Sequence, residues 1–379
     1  MEIERRILLT GGGTGGHIYP LIAVAEQLKG ARLRYFGYAG RYKALLLARG
    51  IEISRVLSSK LRRYFSFLNF LDFFRFFISI LQSLWKIYWF MPDAAFSKGG
   101  PGSLAVVLAC KFYLIPVLVH ESDAIPGLAN KIAGRFSNKI DLAVDAAQQQ
   151  FVSRAPMEVV GQPVRQEILQ EESKEITSKV FGFDPSQPTI LVLGGSQGSE
   201  AINEFILTGL LALLNKFQII HQVGEDKYEE YKNTYEFIAK DWSPSLRQKY
   251  FYAPYFDDKL VSAYNASDLV VSRAGAGSIF ETAAKLKPAI LIPFPEAAND
   301  HQRVNAFECQ KAGSAIVIEQ ENLLPNLFIS VVESILKDEG RLSKMISAAK
   351  KIYKPDAAVK IAEDILLLIN SKHEALSSK

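Results

Sequence analysis

Two glycine-rich turns, roughly 180 residues apart, constrain this chain more than any other feature: Gly11-Gly-Gly-Thr-Gly-Gly16 and Gly194-Gly-Ser-Gln-Gly198. Each follows directly on a short apolar run and precedes a helical pattern. A strand that enters a helix through glycines offers free backbone N–H groups and the positive end of a helix dipole, an arrangement that binds phosphate groups. Its repetition predicts two Rossmann-like domains in tandem. Apolar runs at 6–10, 33–37, 117–120, 189–193, 218–223, 269–272 and 289–293 alternate with helical segments, as in α/β proteins with doubly wound parallel sheets. At 379 residues the chain exceeds the usual size of a single core. Low-complexity segments and short-period repeats are absent, which disfavours a solenoid.

The segment MEVVGQPVR at 157–165 joins a short strand to a Gly-Gln-Pro turn, with polar helix material after it. It divides the chain into a first domain at 1–160 and a second at 161–344. Beyond Lys337 the sequence reads as helices to about residue 370, those from about 345 packing back on the first domain, and the polar tail NSKHEALSSK as frayed. Cys110 and Cys309 lie far apart without metal-ligand spacing, so neither a disulfide framework nor an oxidising compartment is expected. The opening MEIERRILLT leaves no room for a signal peptide, and no run approaches the ~18 uncharged apolar residues that span a bilayer, which predicts a cytoplasmic protein. Residues 1–160 carry 20 Lys and Arg against 11 Asp and Glu, whereas the remainder carries 24 against 29. The basic half is compatible with an anionic membrane, with nucleic acid, or with plain solvation.

Gly11, Gly13 and Gly16 satisfy G-x-G-x-x-G, but a dinucleotide enzyme also needs an acid about 20 residues on to hold ribose hydroxyls. None occurs between Glu26 and Glu52, which disfavours a nicotinamide oxidoreductase. His17 follows the last glycine at a helix start, where the dipole disfavours an imidazolium and leaves the ring able to accept a proton. It reads as a general base or as a histidine that caps the turn.

At the second turn, Gly195, Ser196, Gln197 and Gly198 form a seat for a diphosphate or a purely structural strand-to-helix turn. Downstream, SRAGAGSIFE at 272–281 is another strand, glycine turn and helix. Glu281 lies where its carboxylate can accept hydrogen bonds from vicinal hydroxyls such as those of ribose, or balance the helix dipole. The segment PFPEAANDHQ at 293–302 is a polar loop whose His301 and Gln302 can read sugar hydroxyls. No Asp-x-Asp occurs, so no metal and no cofactor are expected. Leaving-group charge then falls to backbone N–H groups, helix ends and Arg165.

Residues 64–90 hold 12 aromatics in 27 residues, with Arg62, Arg63, Arg75 and Lys86 beside or among them. One helix face cannot bury them all, and surplus aromatics flanked by cations suit an anionic membrane surface. No nucleic-acid module is present, and the aromatics are too clustered for a stacking groove, so no nucleic-acid partner is expected.

Together these residues resemble the bacterial MurG family, the UDP-N-acetylglucosamine:lipid I N-acetylglucosaminyltransferases of peptidoglycan synthesis. The likeness runs through GGGTGGHIYP at 11–20, HESDAIPGLANK at 120–131, GQPVR at 161–165, LGGSQGS at 193–199, SRAGAGSIFE at 272–281 and DHQRVNA at 300–306. It implies the GT-B fold, two facing Rossmann-like domains with parallel sheets and a cleft between them. It also implies inverting transfer of N-acetylglucosamine from UDP-N-acetylglucosamine to the muramyl 4-hydroxyl of polyprenyl-diphosphate-linked lipid I, at the cytoplasmic face of the membrane. In that reading Thr14, Gly15 and Gly16 approach the donor sugar or the acceptor diphosphate, and Asn130 lies in the acceptor-side motif. Arg165 and Ser196, with Gln197 beside it, contact the donor nucleotide, and the backbone near Phe256 receives uracil. Ala276, Gly277, Ser278 and Glu281 cradle phosphate and ribose, while Gln302 reads the sugar. Two positions depart from the family pattern: Asp123 replaces an asparagine, and His301 stands where some members carry glutamine. Asp123 and Glu121 rival His17 as the base, and a carboxylate base is expected to give a pH–rate limb below an imidazole's. A related transferase with another lipid or small-molecule acceptor, or a silent nucleotide-sugar binder, are the competing readings.

Overall fold

The computed structural model describes residues 4–58, 67–195 and 198–377. The chain forms two compact units, Met1–Arg165 with Lys354–Lys379, and Gln166–Tyr353.

The first unit is a seven-stranded parallel sheet in the order β3-β2-β1-β4-β5-β6-β7. Its strands are β1 (Arg6–Thr10), β2 (Arg32–Phe36), β3 (Glu52–Ser54), β4 (Ala94–Ser97), β5 (Val117–Glu121), β6 (Lys139–Leu142) and β7 (Met157–Val159). The connecting helices are α1 (Gly15–Ala25), α2 (Lys43–Ala48), α3 (Phe67–Phe90), α4 (Ser103–Phe112) and α5 (Leu128–Gly134). Side-chain alternation along β1 builds both cores: Ile7 and Leu9 face one cluster with Ile18, Leu21 and Val24 of α1, and Leu8 faces the other with Ile87, Phe90, Val106 and Val107. Both faces are thus covered by helix, as parallel sheets require.

The second unit has a six-stranded parallel sheet in the order β10-β9-β8-β11-β12-β13. Its strands are β8 (Thr189–Leu193), β9 (Gln218–Gln222), β10 (Tyr250–Ala253), β11 (Leu269–Ser272), β12 (Ala289–Leu291) and β13 (Ala315–Val317). Around them run α6 (Lys174–Phe181), α7 (Glu200–Leu214), α8 (Tyr228–Ile238), α9 (Pro244–Arg247), α10 (Leu260–Ala266), α11 (Ala276–Ala284), α12 (His301–Ala312), α13 (Pro325–Leu336) and α14 (Glu339–Ile352). Ile190 and Val192 of β8 pack with Ile202, Phe205 and Ile206 of α7, and Phe205 meets Phe328 edge-on at 5.2 Å.

The last helix, α15 (Ala357–Ser377), returns to the first unit. Its Ile361, Ile365 and Ile369, spaced by four, are fully buried against α1 and the sheet. Each contributes roughly 1.5–3 kcal/mol of burial. The chain therefore divides at Arg165 and Tyr353, not at 160 and 344. The larger difference is the second half of α14, from 345 onwards, read from sequence as packing back on the first domain. Its Met345 completes the core of the second unit beside Val332 and Ile335.

Candidate active site

In the first unit the strand order reverses between β1 and β4, so the turns after these two strands open together at the carboxyl edge of the sheet. Tyr35 Oη donates to the Gly11 carbonyl at 2.7 Å, and Thr10 Oγ1 to the Phe36 carbonyl at 2.8 Å, which anchors the start of the turn. Only glycine fits at 13, where a Cβ would lie 2.5 Å from the Tyr38 carbonyl oxygen. Gly100, in the turn after β4 with φ 87°, would place a Cβ 2.9 Å from His17 Nε2, so that second turn closes over the imidazole. Thr14 and Gly16 are exposed, Gly15 is buried and His17 half-buried. Thr14 occupies the N-cap position of α1, yet its hydroxyl bonds His17 Nδ1 at 2.8 Å instead of capping the helix. Arg165 stacks its guanidinium 3.9 Å over the Tyr19 ring of α1, which places it with the first turn.

The loop after β5 joins the same edge. Glu121 is buried, and its Oε1 accepts the N–H groups of Ser122 at 2.8 Å and Asp123 at 3.0 Å, while Oε2 accepts Asn130 Nδ2 at 2.9 Å. Asn130 also bonds the His120 carbonyl at 3.3 Å. Both residues, read from sequence as catalytic and substrate-binding, thus hold the loop from beneath, and Asp123 is the more accessible carboxylate. A residue that sequence reading passed over completes the group. Lys98, directly after β4, is buried and its Nζ bonds Ser122 Oγ. The signal was available in Ser97-Lys-Gly-Gly100, a further strand followed by glycines.

Burial and the Lys98 ammonium push the His17 imidazole down to about 4, with Asp123 opposing. These causes, and not the helix end alone, keep the ring neutral. Glu121 moves the other way, up to about 6, through burial and the neighbouring Asp123. Burial lowers Lys98 to about 8 against the pull of Glu121 and Asp123. The expected order of pH limbs is therefore reversed between His17 and Glu121, since burial disfavours whichever form is charged: imidazolium in one, carboxylate in the other.

In the second unit the order reverses between β8 and β11, and their glycine turns again lie at the carboxyl edge. Ser199 caps α7 by accepting the Ile202 N–H at 3.4 Å. Ser196 and Gln197 lie outside the described residues. Gln222, not singled out from sequence, bonds the Gly195 carbonyl through Nε2 at 3.0 Å and the Phe256 N–H through Oε1 at 3.0 Å. The Phe256 N–H is thereby engaged within the protein, so any base pairing near 256 uses other backbone groups. At α11, Ala276 is buried, and Gly277, Ser278 and, in the second turn, Glu281 are half-buried. Asn305 of α12 braces this turn by donating to the Ala274 carbonyl at 3.2 Å. Arg273 points away from the turn, into the carbonyls of Ile292 at 3.3 Å and Pro293 at 3.1 Å.

The loop before α12 turns sharply through Asn299 and Asp300, both at φ 57°. His301 Nδ1 donates to the Ala298 carbonyl at 2.7 Å, which places the ring's lone pair on Nε2. Gln302 Oε1 accepts the Phe294 N–H at 3.1 Å, so its amide presents the NH₂ group outward from that bond. Among the described residues no group of three or more His, Cys, Asp or Glu is placed to hold a metal ion.

Helix α3 is inverted in its polarity. Ser79 and Ser83 are buried with Ile87 and Phe90, whereas Leu81, Trp85 and Trp89 are about two-thirds exposed, at 66%, 65% and 67%. Phe73, Phe74, Phe77 and Tyr88 extend this face, Phe112 and Leu114 are also exposed, and exposed Arg75 and Lys111 are the neighbouring cations in sequence. Tyr64, Arg62 and Arg63 of the aromatic segment fall outside the described residues. No helix among the described residues is long and apolar enough to cross a membrane.

The N-terminal domain model of glycosyltransferase family 28 matches residues 7–141, and its C-terminal domain model residues 189–361. With two parallel sheets bearing glycine turns at their switch points, these matches define a glycosyltransferase of the GT-B fold. A protein of Legionella pneumophila (strain Paris) is 36% identical over 362 residues, covering 94% of this chain and 96% of its own. A protein of Halothermothrix orenii is 37% identical over 360 residues, covering 92% and 95%. Both are named UDP-N-acetylglucosamine--N-acetylmuramyl-(pentapeptide) pyrophosphoryl-undecaprenol N-acetylglucosamine transferase. The chain belongs to this family, the MurG transferases. The crystal structure of Acinetobacter baumannii MurG shares its fold with a TM-score of 0.72 at 24% identity, covering 96% of this chain and 99% of that one. The calicheamicin glycosyltransferase CalG4 shares the fold at a TM-score of 0.68 and 14% identity, over 98% and 99%.

Proposed function

We propose that this chain transfers N-acetylglucosamine from UDP-N-acetylglucosamine to the muramyl 4-hydroxyl of lipid I, forming lipid II with inversion at the anomeric carbon. The observation that carries this reading is the identity of 36–37% with transferases of that name over more than nine-tenths of the chain. The acceptor oxygen attacks the anomeric carbon as its proton passes to a base, and the bond to UDP breaks with the electron pair leaving on the diphosphate. His17 is the leading base. To accept on Nε2 it must carry its own proton on Nδ1, which the Thr14 hydroxyl accepts. Asp123 is the rival, and Glu121 serves the loop. Thr14, Gly15 and Gly16 take the acceptor side, with Asn130 setting the loop beside them. The N-termini of α7 and α11, with Ser196, Gln197, Ala276, Gly277 and Ser278, receive the diphosphate. Arg165 adds a cation to the donor nucleotide, the backbone near Phe256 holds uracil, and Glu281 accepts the ribose hydroxyls. The Gln302 amide, with His301 Nε2, reads the sugar.

The experiment is turnover of UDP-N-acetylglucosamine by the full chain with a lipid I analogue and, separately, with diacylglycerol. UDP release with the first alone is expected. Turnover with diacylglycerol alone, or with neither, overturns the acceptor assignment.

The chain further binds the cytoplasmic membrane surface through α3, whose exposed aromatics enter the headgroup boundary while Arg75 and Lys111 meet anionic lipid. Sedimentation with vesicles containing phosphatidylglycerol is expected for the wild type and lost in the Trp85→Ser/Trp89→Ser double variant. Equal sedimentation of the two removes α3 from the contact.

A further inference from the structure

Lys98 is 3% exposed. A buried ammonium is costly without a reason for its charge, because a neutral donor would brace a loop at lower desolvation cost. Its backbone N–H bonds the Thr10 carbonyl at 2.9 Å, which sets it beside the first glycine turn. A Cβ on Gly11 would lie 3.4 Å from Lys98 Cβ and 3.5 Å from His17 Cβ, so the two side chains flank the same glycine. At its far end Nζ meets Ser122 Oγ, and the Ser122 hydroxyl donates to Gln162 Oε1 at 2.7 Å. Ser122 must therefore accept from Lys98, which fixes the direction of the chain of bonds and holds the ammonium against the loop that bears Asp123.

We infer that Lys98 is a positioning residue for the transfer reaction: its buried ammonium, set between the first glycine turn and the loop that bears Asp123, disfavours a second positive charge on the His17 ring that flanks the same glycine. The groups that act on His17 are Thr14 at the N-cap of α1, Lys98 and the Gly100 backbone after β4, and Asp123 after β5, while Glu121 acts in turn on Lys98. Burial opposes the imidazolium most, Lys98 adds to it, and Asp123 favours the charged ring. A neutral imidazole beside a carboxylate is ready to take a proton, whereas an imidazolium held by that carboxylate is not. The inference rests on the reading of this turn as the place where the acceptor hydroxyl is deprotonated.

The test follows the His17 ring by NMR in the full chain with labelled histidine, its resonance assigned by loss in His17→Gln. Lys98→Met is expected to raise the proton affinity of His17 at least tenfold, and Lys98→Arg to leave it within about threefold of wild type. A folded Lys98→Met variant with an unchanged His17 titration overturns the inference, since a mere strut would lower Tm without moving that titration. Should Lys98→Met fail to fold, the wild type decides: deprotonation of Lys98 above neutral pH must appear as a second step in the His17 shifts, and its absence overturns the inference. The acid limb of kcat separates the two readings. A limb that moves with the His17 titration supports both. A titration that moves under an unmoved limb leaves Lys98 acting on His17 and removes His17 as the base.

Discussion

The turn after β1 and the turns after β8 and β11 start from one backbone device, a strand entering a helix through glycine, and differ in what surrounds it. Around the first stand His17, Lys98, Glu121 and Asp123, and the first three are moved to about 4, 8 and 6 by burial and by one another. Around the second-unit turns the braces are neutral: Gln222 on Gly195, Asn305 on Ala274, and Ser199 at the cap of α7. Arg273 is turned into carbonyls behind the turn, which leaves Glu281 as the half-buried acid on α11. Backbone N–H groups alone supply affinity for an anion. The neighbouring strands decide whether a proton can also be moved there: Lys98 follows β4 and Glu121 ends β5 beside the first turn, whereas the neutral Gln222 ends β9.

The largest expected effect tests whether proton chemistry is confined to the first turn. His17→Ala should lower kcat by roughly 10² to 10⁴ while UDP affinity stays as in wild type. Retention of more than about a tenth of kcat would move the base to Asp123. In the opposite direction, Glu281→Ala should weaken UDP binding by roughly 1.5 to 3 kcal/mol, the value of a hydrogen bond to a charged group. At saturating donor its kcat should change little, and unaltered calorimetric affinity would take Glu281 out of the site.

A third experiment asks whether the first unit carries its ionisable groups at a cost in stability. Asp141 on β6 is fully buried, neither carboxylate oxygen has a hydrogen-bond partner among the described residues, and Lys139 Nζ lies 3.7 Å from Oδ1. Burial and then Asp364 push its carboxyl up to about 8, so the folded chain keeps a proton that the unfolded chain releases near pH 4. The contribution to stability is therefore full below about pH 4 and is lost as pH rises towards 8. Asp141→Asn should be more stable than wild type by on the order of 1–2 kcal/mol at pH 8 in urea denaturation, with the gain disappearing near pH 4. A gain that is equal at both pH values would show that packing and not protonation is responsible. The smallest effect is that of Thr14→Val, which removes the oxygen facing His17 Nδ1. It should reduce kcat by about two- to tenfold, as for one neutral hydrogen bond, without altering UDP affinity. A loss in UDP affinity instead would move Thr14 to the donor side.

Legibility along the chain followed how local each feature was. The strands RILLT, TILVL and LVVS stand out as unbroken aliphatic runs, and the structure has them at Arg6–Thr10, Thr189–Leu193 and Leu269–Ser272. The strands AAFS at Ala94–Ser97 and KIDL at Lys139–Leu142 do not, because alanine has little β preference and Asp141 interrupts the short aliphatic run of the second. Passing over β4 concealed Lys98 at its end. The sequence boundary at 344 cuts through α14 for a related reason: its helical pattern is plain, but which sheet buries Met345 is a long-range matter. The surplus of aromatics in α3 was visible in composition, whereas its buried serines and exposed tryptophans needed the packing against α4.

The glycine turns, the parallel α/β architecture and the motifs that mark the family could all be read from the linear chain, since a turn, its helix start and its apolar strand are set by residues within about 20 positions of one another. The titration order of His17 and Glu121, the bracing by Gln222 and the charge of Lys98 could not. Each depends on burial and on charges delivered by strands far apart in sequence, and an ionisable group responds to what surrounds it in space, whatever its neighbours along the chain.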